Sequence, residues 1–301
     1  MNTPLIVILI IAGVVLLLRV ATSLIFHFIF AMKKQTKAES AAILRQKNIP
    51  PIDELPLEKL TVQSEDGLKL TGYYVNQCPE SKRVVIIAHG YRANHRMALQ
   101  YAPVFIQHGY NVLVYDQRAH GESEGRFPTY GLYESRDLHR WVRMLQERLG
   151  NDCEIGLMGH SLGGATALCY PSLNPNIRFI VADCTFATLR AFISGRLQSY
   201  HVPVKLFYPL VRRMVKRRCR FSLDAVNPME TAIHEGRDIP VLFIHSKGDH
   251  IIDCCGAEEM FQKRGNPHDR LYIHENAAHP DVYAADTAAY MREVDEFLSN
   301  L

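Results

Sequence analysis

Six short apolar runs separated by helix-length segments constrain this chain more than any other feature of its sequence. They are Val84 to Ala88, Val112 to Tyr115, Ile155 to Met158, Phe179 to Ala182, Val241 to Ile244 and Leu271 to Ile273. Runs that are apolar throughout, without alternation, mark strands buried on both faces, the condition of a parallel sheet. The long crossovers then predict a doubly wound α/β architecture. Upstream, Lys59 to Val62 and Leu68 to Val75 alternate around Asp66 and Gly67, which predicts an antiparallel opening hairpin. Eight strands in a mostly parallel sheet are therefore expected. The connection from Cys184 to Val241 is too long for a plain crossover, at roughly fifty residues. Because it carries helical patterns of its own, residues 186–235 are read as a helical cap inserted over the sheet.

The N-terminus imposes a second constraint. Leu5 to Met32 is almost wholly apolar, carries ionisable side chains only at Arg19 and His27, and is followed by Lys33, Lys34 and Lys37. A buried arginine near mid-span costs about 2.5–3.5 kcal/mol, whereas each Leu, Ile or Val returns about 0.3–0.6 kcal/mol. With thirteen such residues from Leu5 to Val20, insertion is favoured. Met1, Asn2 and Thr3 bring no side-chain charge, unlike a cleavable signal peptide, so the segment reads as a retained transmembrane anchor. Lysines on its C-terminal flank place the following domain in the cytoplasm. Seven irregularly spaced cysteines fit reduced thiols better than a disulfide framework. The expected organisation is an anchor over 1–32, a polar helical connector over 33–57 broken at Pro50 and Pro51, and a catalytic domain over 58–301.

A net charge of +3 is too mild to suggest a nucleic-acid partner, and no zinc-type cysteine pair is present. The basic charge concentrates in the cap, which holds Arg190, Arg196, Lys205, Arg212, Arg213, Lys216, Arg217, Arg218 and Arg220 with no acidic residue from Ala187 through Arg220. Leu206, Phe207, Tyr208, Leu210, Val211, Met214 and Val215 interleave with them, the pattern of a basic amphipathic helix. Such a face either stands solvated beside core residues or lies on anionic headgroups, where it would admit lipid-like acyl esters.

The pattern GxSxG occurs twice, around Ser161 and around Ser123, so its context must choose between them. A nucleophile of this kind sits on a strained turn between a strand and a helix, where glycines avoid collision. Ile155 to Met158 supply a strand before Ser161, and Leu162 to Tyr170 a helix after it. Ser123 stands between two glutamates, with Arg126 and Pro128 following, and has no such context. The plain alternative for Ser161 is an ordinary helix N-cap.

A serine hydroxyl needs a base, and the base needs an orienting carboxylate. Asp249 follows the run Val241 to Ile244 through Ser246, Lys247 and Gly248, and is the expected acid. His279 follows the last strand through Glu275, Asn276, Ala277 and Ala278, and is the expected base. Asp253, His139 and His274 have plainer readings as packing, helix-face and strand-end residues, and His250, adjacent to the acid, is too local to bridge to Ser161. Two backbone amides, those of Leu162 and Tyr91, are the expected oxyanion donors. The alternative at His89 and Gly90 is a tight turn alone.

The strings IIAHGYRAN, VYDQRAHGESEG, IGLMGHSLGG, VLFIHSKGDHIID and ENAAH stand in this order. Carrying them, the chain resembles the α/β-hydrolase superfamily over about residues 58–301. It is most similar to bacterial membrane-anchored hydrolases related to lysophospholipases and monoacylglycerol lipases. The resemblance implies that Asp116 to Ser123 braces the active-site loops, with Ala119 replacing the usual glycine. It implies no metal and no organic cofactor. The expected activity is hydrolysis of carboxylic esters through an acyl-enzyme on Ser161. The same scaffold also serves serine peptidases and thioesterases. A catalytically silent, membrane-tethered binding protein is the alternative from another class.

Overall fold

A computed structural model describes residues 3–49, 55–174 and 176–301; the predicted break at Pro50 and Pro51 lies outside the described residues. The chain opens with α1 (Thr3–Phe30) and α2 (Lys37–Gln46), then the hairpin β1 (Leu57–Gln63) and β2 (Lys69–Val75). There follow β3 (Arg83–Ala88), α3 (His95–Leu99), α4 (Ala102–Ile106), β4 (Asn111–Tyr115), α5 (Leu132–Leu149), β5 (Glu154–His160) and α6 (Leu162–Cys169). Next come β6 (Phe179–Asp183), α7 (Leu189–Ser199), α8 (Val204–Arg218) and α9 (Pro228–His234). The chain closes with β7 (Val241–Ser246), α10 (Cys255–Arg264), β8 (Arg270–His274), α11 (Val282–Ala285) and α12 (Thr287–Ser299).

The eight strands form one sheet in the order β1-β2-β4-β3-β5-β6-β7-β8. Only the pairings of β2, with β1 and with β4, are antiparallel; every other pairing is parallel. Both faces are covered. Val85, Ile87, Val112, Val114, Phe179 and Leu242 pack on one side against Phe105, Tyr290 and Phe297. Val84, Ile86, Leu113, Leu157, Ile180 and Phe243 pack on the other against Trp141, Leu145 and Met260. Successive strand residues point to opposite faces, so a strand with both faces covered must be apolar at every position. The unbroken apolar runs follow from this.

Between β6 and β7 stand α7 and α8, whose apolar residues Leu189, Ile193, Leu197, Tyr208, Val211 and Val215 form a third cluster. This cluster also contains Phe26, Ile29 and Phe30, from the end of α1. The 28-residue α1 is about 42 Å long, more than the roughly 30 Å hydrocarbon core of a bilayer requires. Residues 3–17 are exposed throughout, and burial begins only in the last turns. The helix thus has two parts: an apolar stretch long and hydrophobic enough to cross a membrane, and an inner end built into the globular domain.

Candidate active site

Ser161 occupies the turn between β5 and α6 with φ 54° and ψ −112°, outside the regions an L-residue favours. The surroundings hold it there. Its amide donates to the Asp183 carbonyl at 2.7 Å, and its own carbonyl accepts from Thr185 Oγ1 at 2.9 Å. A Cβ on Gly159 would lie 2.0 Å from the Gly163 carbonyl oxygen, and one on Gly163 would lie 2.0 Å from that of Ala88. Only glycines let strand and helix approach this closely, and the approach lifts the serine side chain clear of the backbone.

The structure brings Ser161, His279 and Asp249 into one hydrogen-bonded row. Ser161 Oγ lies 3.1 Å from His279 Nε2, and His279 Nδ1 lies 2.7 Å from Asp249 Oδ2. A carboxylate can only accept, so Nδ1 carries the proton and Nε2 presents its lone pair to the serine. Asp249 sits past the carboxyl end of β7, where its Oδ1 accepts from the amides of Ile251 and Ile252 at 2.8 and 2.9 Å. His245, fully buried on β7, places Nε2 3.0 Å from the Ile252 carbonyl and 3.3 Å from Asp249 Oδ2. Both are acceptors, so this nitrogen is protonated and steadies the carboxylate. Burial acts to raise the Asp249 pKa, but hydrogen bonds from His245 and His279 outweigh it and hold the group below the usual carboxylate range. His245 carried no sequence signal, because a histidine inside an apolar run reads as a packing residue.

The segment after β3 is pinned by His89. Its Nδ1 lies 2.8 Å from the Gly90 carbonyl and its Nε2 3.0 Å from the Gln117 amide, which fixes a neutral ring protonated at Nδ1. Burial lowers its pKa, in keeping with that form. The Gly90 carbonyl also accepts from the Ala93 amide at 3.2 Å. In a planar trans peptide the Tyr91 N–H points opposite to this doubly held carbonyl. Among the described residues neither Tyr91 N–H nor Leu162 N–H donates to a protein acceptor.

The loop from Asp116 to Ser123 packs beneath this segment. Asp116 accepts from the amides of His95 and Glu122, both at 2.7 Å, and lies 3.0 Å from His95 Nδ1. Arg118 grips Asp137 through two hydrogen bonds of 2.6 and 2.7 Å. Ala119 has φ 66°, the left-handed region, which accounts for the glycine usual at this position. Ser123 Oγ donates to the Asp116 carbonyl at 2.5 Å and accepts from the Thr71 amide at 2.9 Å, so this buried hydroxyl is fully occupied.

Ser161 opens into a cavity of about 350 Å³, lined by Tyr91, Tyr130, Phe192 and Arg196 among others. Phe28 and Ile29, from the end of α1, line it too. Sequence reasoning assigned this helix to the membrane alone; the usable signal was its surplus length and the clustered Phe26, Phe28 and Phe30. His160, beside Ser161, stays neutral, because burial and the neighbouring His279 push its pKa well down. Among the described residues, the one trio of metal-ligand type is Cys184, Asp249 and His279, whose ligand atoms lie within 4.8 Å of one another. Two of its members already bind each other, and burial keeps the Cys184 thiol protonated, so the trio does not offer a ready ligand set.

A doubly wound sheet opened by an antiparallel hairpin, with a strained serine after its fifth strand, is the framework of the α/β-hydrolase class. Residues 83–202 match the family described as alpha/beta hydrolase fold. The chain is 32% identical over 291 residues to the uncharacterized protein YqkD of Bacillus subtilis, covering 94% of this chain and 93% of that protein. It is 21% identical over 287 residues to the uncharacterized membrane protein YNL320W of Saccharomyces cerevisiae, covering 95% and 94%. Among solved structures, esterase Pf2001 of Pyrococcus furiosus superposes with a TM-score of 0.68 at 22% identity, over 90% of this chain and 98% of that one. The chain belongs to the alpha/beta hydrolase family.

Proposed function

We propose that this protein is a membrane-anchored serine esterase that cleaves carboxylic esters, including lipid-like acyl esters. The observation carrying the reading is the 3.1 Å approach of His279 Nε2 to Ser161 Oγ, with His279 held at 2.7 Å by Asp249 at the mouth of a mainly apolar cavity. In this mechanism His279 takes the Ser161 proton as Oγ attacks the ester carbonyl carbon. The amides of Leu162 and Tyr91 stabilise the resulting oxyanion, an interaction worth a few kcal/mol for each donor. The imidazolium returns its proton to the departing alcohol, leaving an acyl group on Ser161. Water, deprotonated by the same imidazole, then releases the acid.

On this reading α1 anchors the enzyme, and Lys33, Lys34 and Lys37 keep the domain on the cytoplasmic side. A groove of about 660 Å³ between α1 and α8 supports a membrane-facing cap. It is lined by Arg19, Arg213, Arg217 and Arg218 together with Thr22 and Ser23. Arg212 pairs with Asp224 at 3.0 Å, whereas Arg19, Arg213 and Arg217 have no acidic partner among the described residues. Anionic headgroups would supply one. The test is labelling of the folded protein by a fluorophosphonate, with Ser161→Ala run beside it, followed by turnover of nitrophenyl esters. Wild-type labelling lost in Ser161→Ala is the expected result; equal labelling of both would remove Ser161 from the mechanism.

A further inference from the structure

The Ser161 cavity does not end at its own walls. A second cavity of about 240 Å³ adjoins it, lined by Leu24, Ile25, Phe28, Ile29, Arg196, Leu197, Tyr200 and Val202. The two share Phe28, Ile29 and Arg196. Side chains meet at this shared lining. The Phe28 ring meets Tyr200 edge-on at 5.2 Å, and Arg196 donates to the Tyr200 hydroxyl at 2.9 Å while lying over its ring at 5.1 Å.

The outer cavity is apolar apart from the Arg196 head and the Tyr200 hydroxyl it bonds, and one wall is the membrane helix itself. Leu24 is 66% exposed and Phe28 51%, and with Val20 at 50% they stack at four-residue spacing on one face of α1. This stripe runs from the active-site mouth toward the apolar stretch of residues 3–17, past Arg19, Thr22 and Ser23. Those three residues mark a polar level between the membrane stretch and the domain. A lipid lifted along α1 until its ester reached the mouth of the Ser161 cavity would have its acyl chain alongside the stripe, with its tail toward the membrane stretch.

We propose that this lane along the last turns of α1 conducts the acyl chain of the substrate from the bilayer to Ser161, past a gate of Phe28, Arg196 and Tyr200. The inference deepens the esterase reading and rests on it. It assigns the substrate class as esters of one long aliphatic acyl chain, drawn from the membrane. The lane's small volume and nearly unbroken apolar lining suit a single chain, and they offer a second chain or a peptide no room and few polar partners. The membrane helix is then one wall of the binding site as well as a tether.

The experiment uses the full chain reconstituted in neutral phospholipid vesicles and nitrophenyl esters from butyryl to dodecanoyl. In the wild type, kcat/KM is expected to rise roughly fourfold per methylene until the lane is filled. Val202→Trp and Leu24→Trp, which fill the lane away from Ser161, should lower the dodecanoyl-to-butyryl ratio at least tenfold. Leu173→Trp, exposed before the amino end of β6, should leave that ratio at its wild-type value. An independent measurement needs no variant. A long-chain alkyl fluorophosphonate ending in a diazirine is reacted with the wild type and irradiated, and the attached peptide is sequenced. Attachment at Leu24, Phe28, Tyr200 or Val202 supports the lane. Attachment confined to Met97 or Ile251, elsewhere in the Ser161 cavity, overturns it, as does an unchanged ratio in lane variants that still label at Ser161. Absence of any labelling at Ser161 would instead overturn the esterase reading beneath it.

Discussion

The hydroxyl of Tyr130 donates to the carbonyl of Ile29 at 2.6 Å, joining the end of α1 to a ring that stacks on Tyr91 at 5.8 Å. Tyr91 donates to the same carbonyl at 2.8 Å, so the segment proposed to hold the oxyanion is braced by α1. The inner end of the helix should therefore be needed for stability and the outer part should not. A chain lacking residues 1–17 is expected to keep its thermal midpoint in detergent, because residues 3–17 are exposed along their whole length. Phe30→Ala, at a fully buried position, should cost about 3–5 kcal/mol and lower the midpoint by on the order of 10 °C. An unchanged midpoint in Phe30→Ala would refute the bracing.

The proposed relay makes separable predictions for its members. Asp249→Asn retains much of the shape but removes the acceptor that fixes the His279 tautomer, and should reduce kcat by about 10⁴ with little change in KM. Ser123→Ala should leave fluorophosphonate labelling intact. It should destabilise the fold by about 1–3 kcal/mol, since the Thr71 amide loses its buried acceptor. Steady-state kinetics and urea denaturation read the two effects apart.

Asp116 should contribute to acid sensitivity. Burial favours its neutral form, yet hydrogen bonding and charge from His95, with the Glu122 amide, lower its pKa from 3.8 to about 2. A depressed carboxylate contributes stability that is complete above the unfolded pKa and is lost as pH falls through the folded one. Of the wild-type stability, about 2 kcal/mol should therefore disappear between about pH 4 and pH 2. Asp116→Asn should flatten that part of the curve, as measured by urea midpoints across the range.

Ala119 should be improvable. The left-handed backbone at φ 66° costs an L-residue about 1–2 kcal/mol, whereas glycine's extra freedom in the unfolded chain takes back about 0.4–1 kcal/mol. Ala119→Gly is expected to stabilise the protein by roughly 0.5–1 kcal/mol with an unchanged denaturant slope. A loss of stability would mean that its packed methyl outweighs the strain.

The unpaired arginines of the α1–α8 groove should govern adsorption to anionic membranes. Each basic residue near such a surface is worth about 1 kcal/mol, so Arg213→Gln combined with Arg217→Gln should weaken vesicle binding of residues 18–301 roughly thirtyfold. Cosedimentation with anionic and neutral vesicles at low and high salt measures this. Equal, salt-insensitive binding to both would remove the membrane-facing role of the cap.

What the sequence by itself determined was local or periodic. The unbroken apolar runs gave the strands, because a sheet covered on both faces admits no polar alternation. Gly159 and Gly163 around Ser161 gave the strained turn, because other side chains would collide there. Asp249 and His279 were legible as residues past strand ends, since strand and loop differ in composition. Tertiary structure alone decided which distant groups meet. His245 beside Asp249, His89 holding the Gly90 carbonyl, and Phe28 and Ile29 entering the Ser161 cavity leave no periodic trace. Each depends on the packing of elements far apart in the chain. The apolar character of α1 is the same whether it faces lipid or protein, since both bury it from water, and only its packing against the cap distinguishes its outer stretch from its inner end.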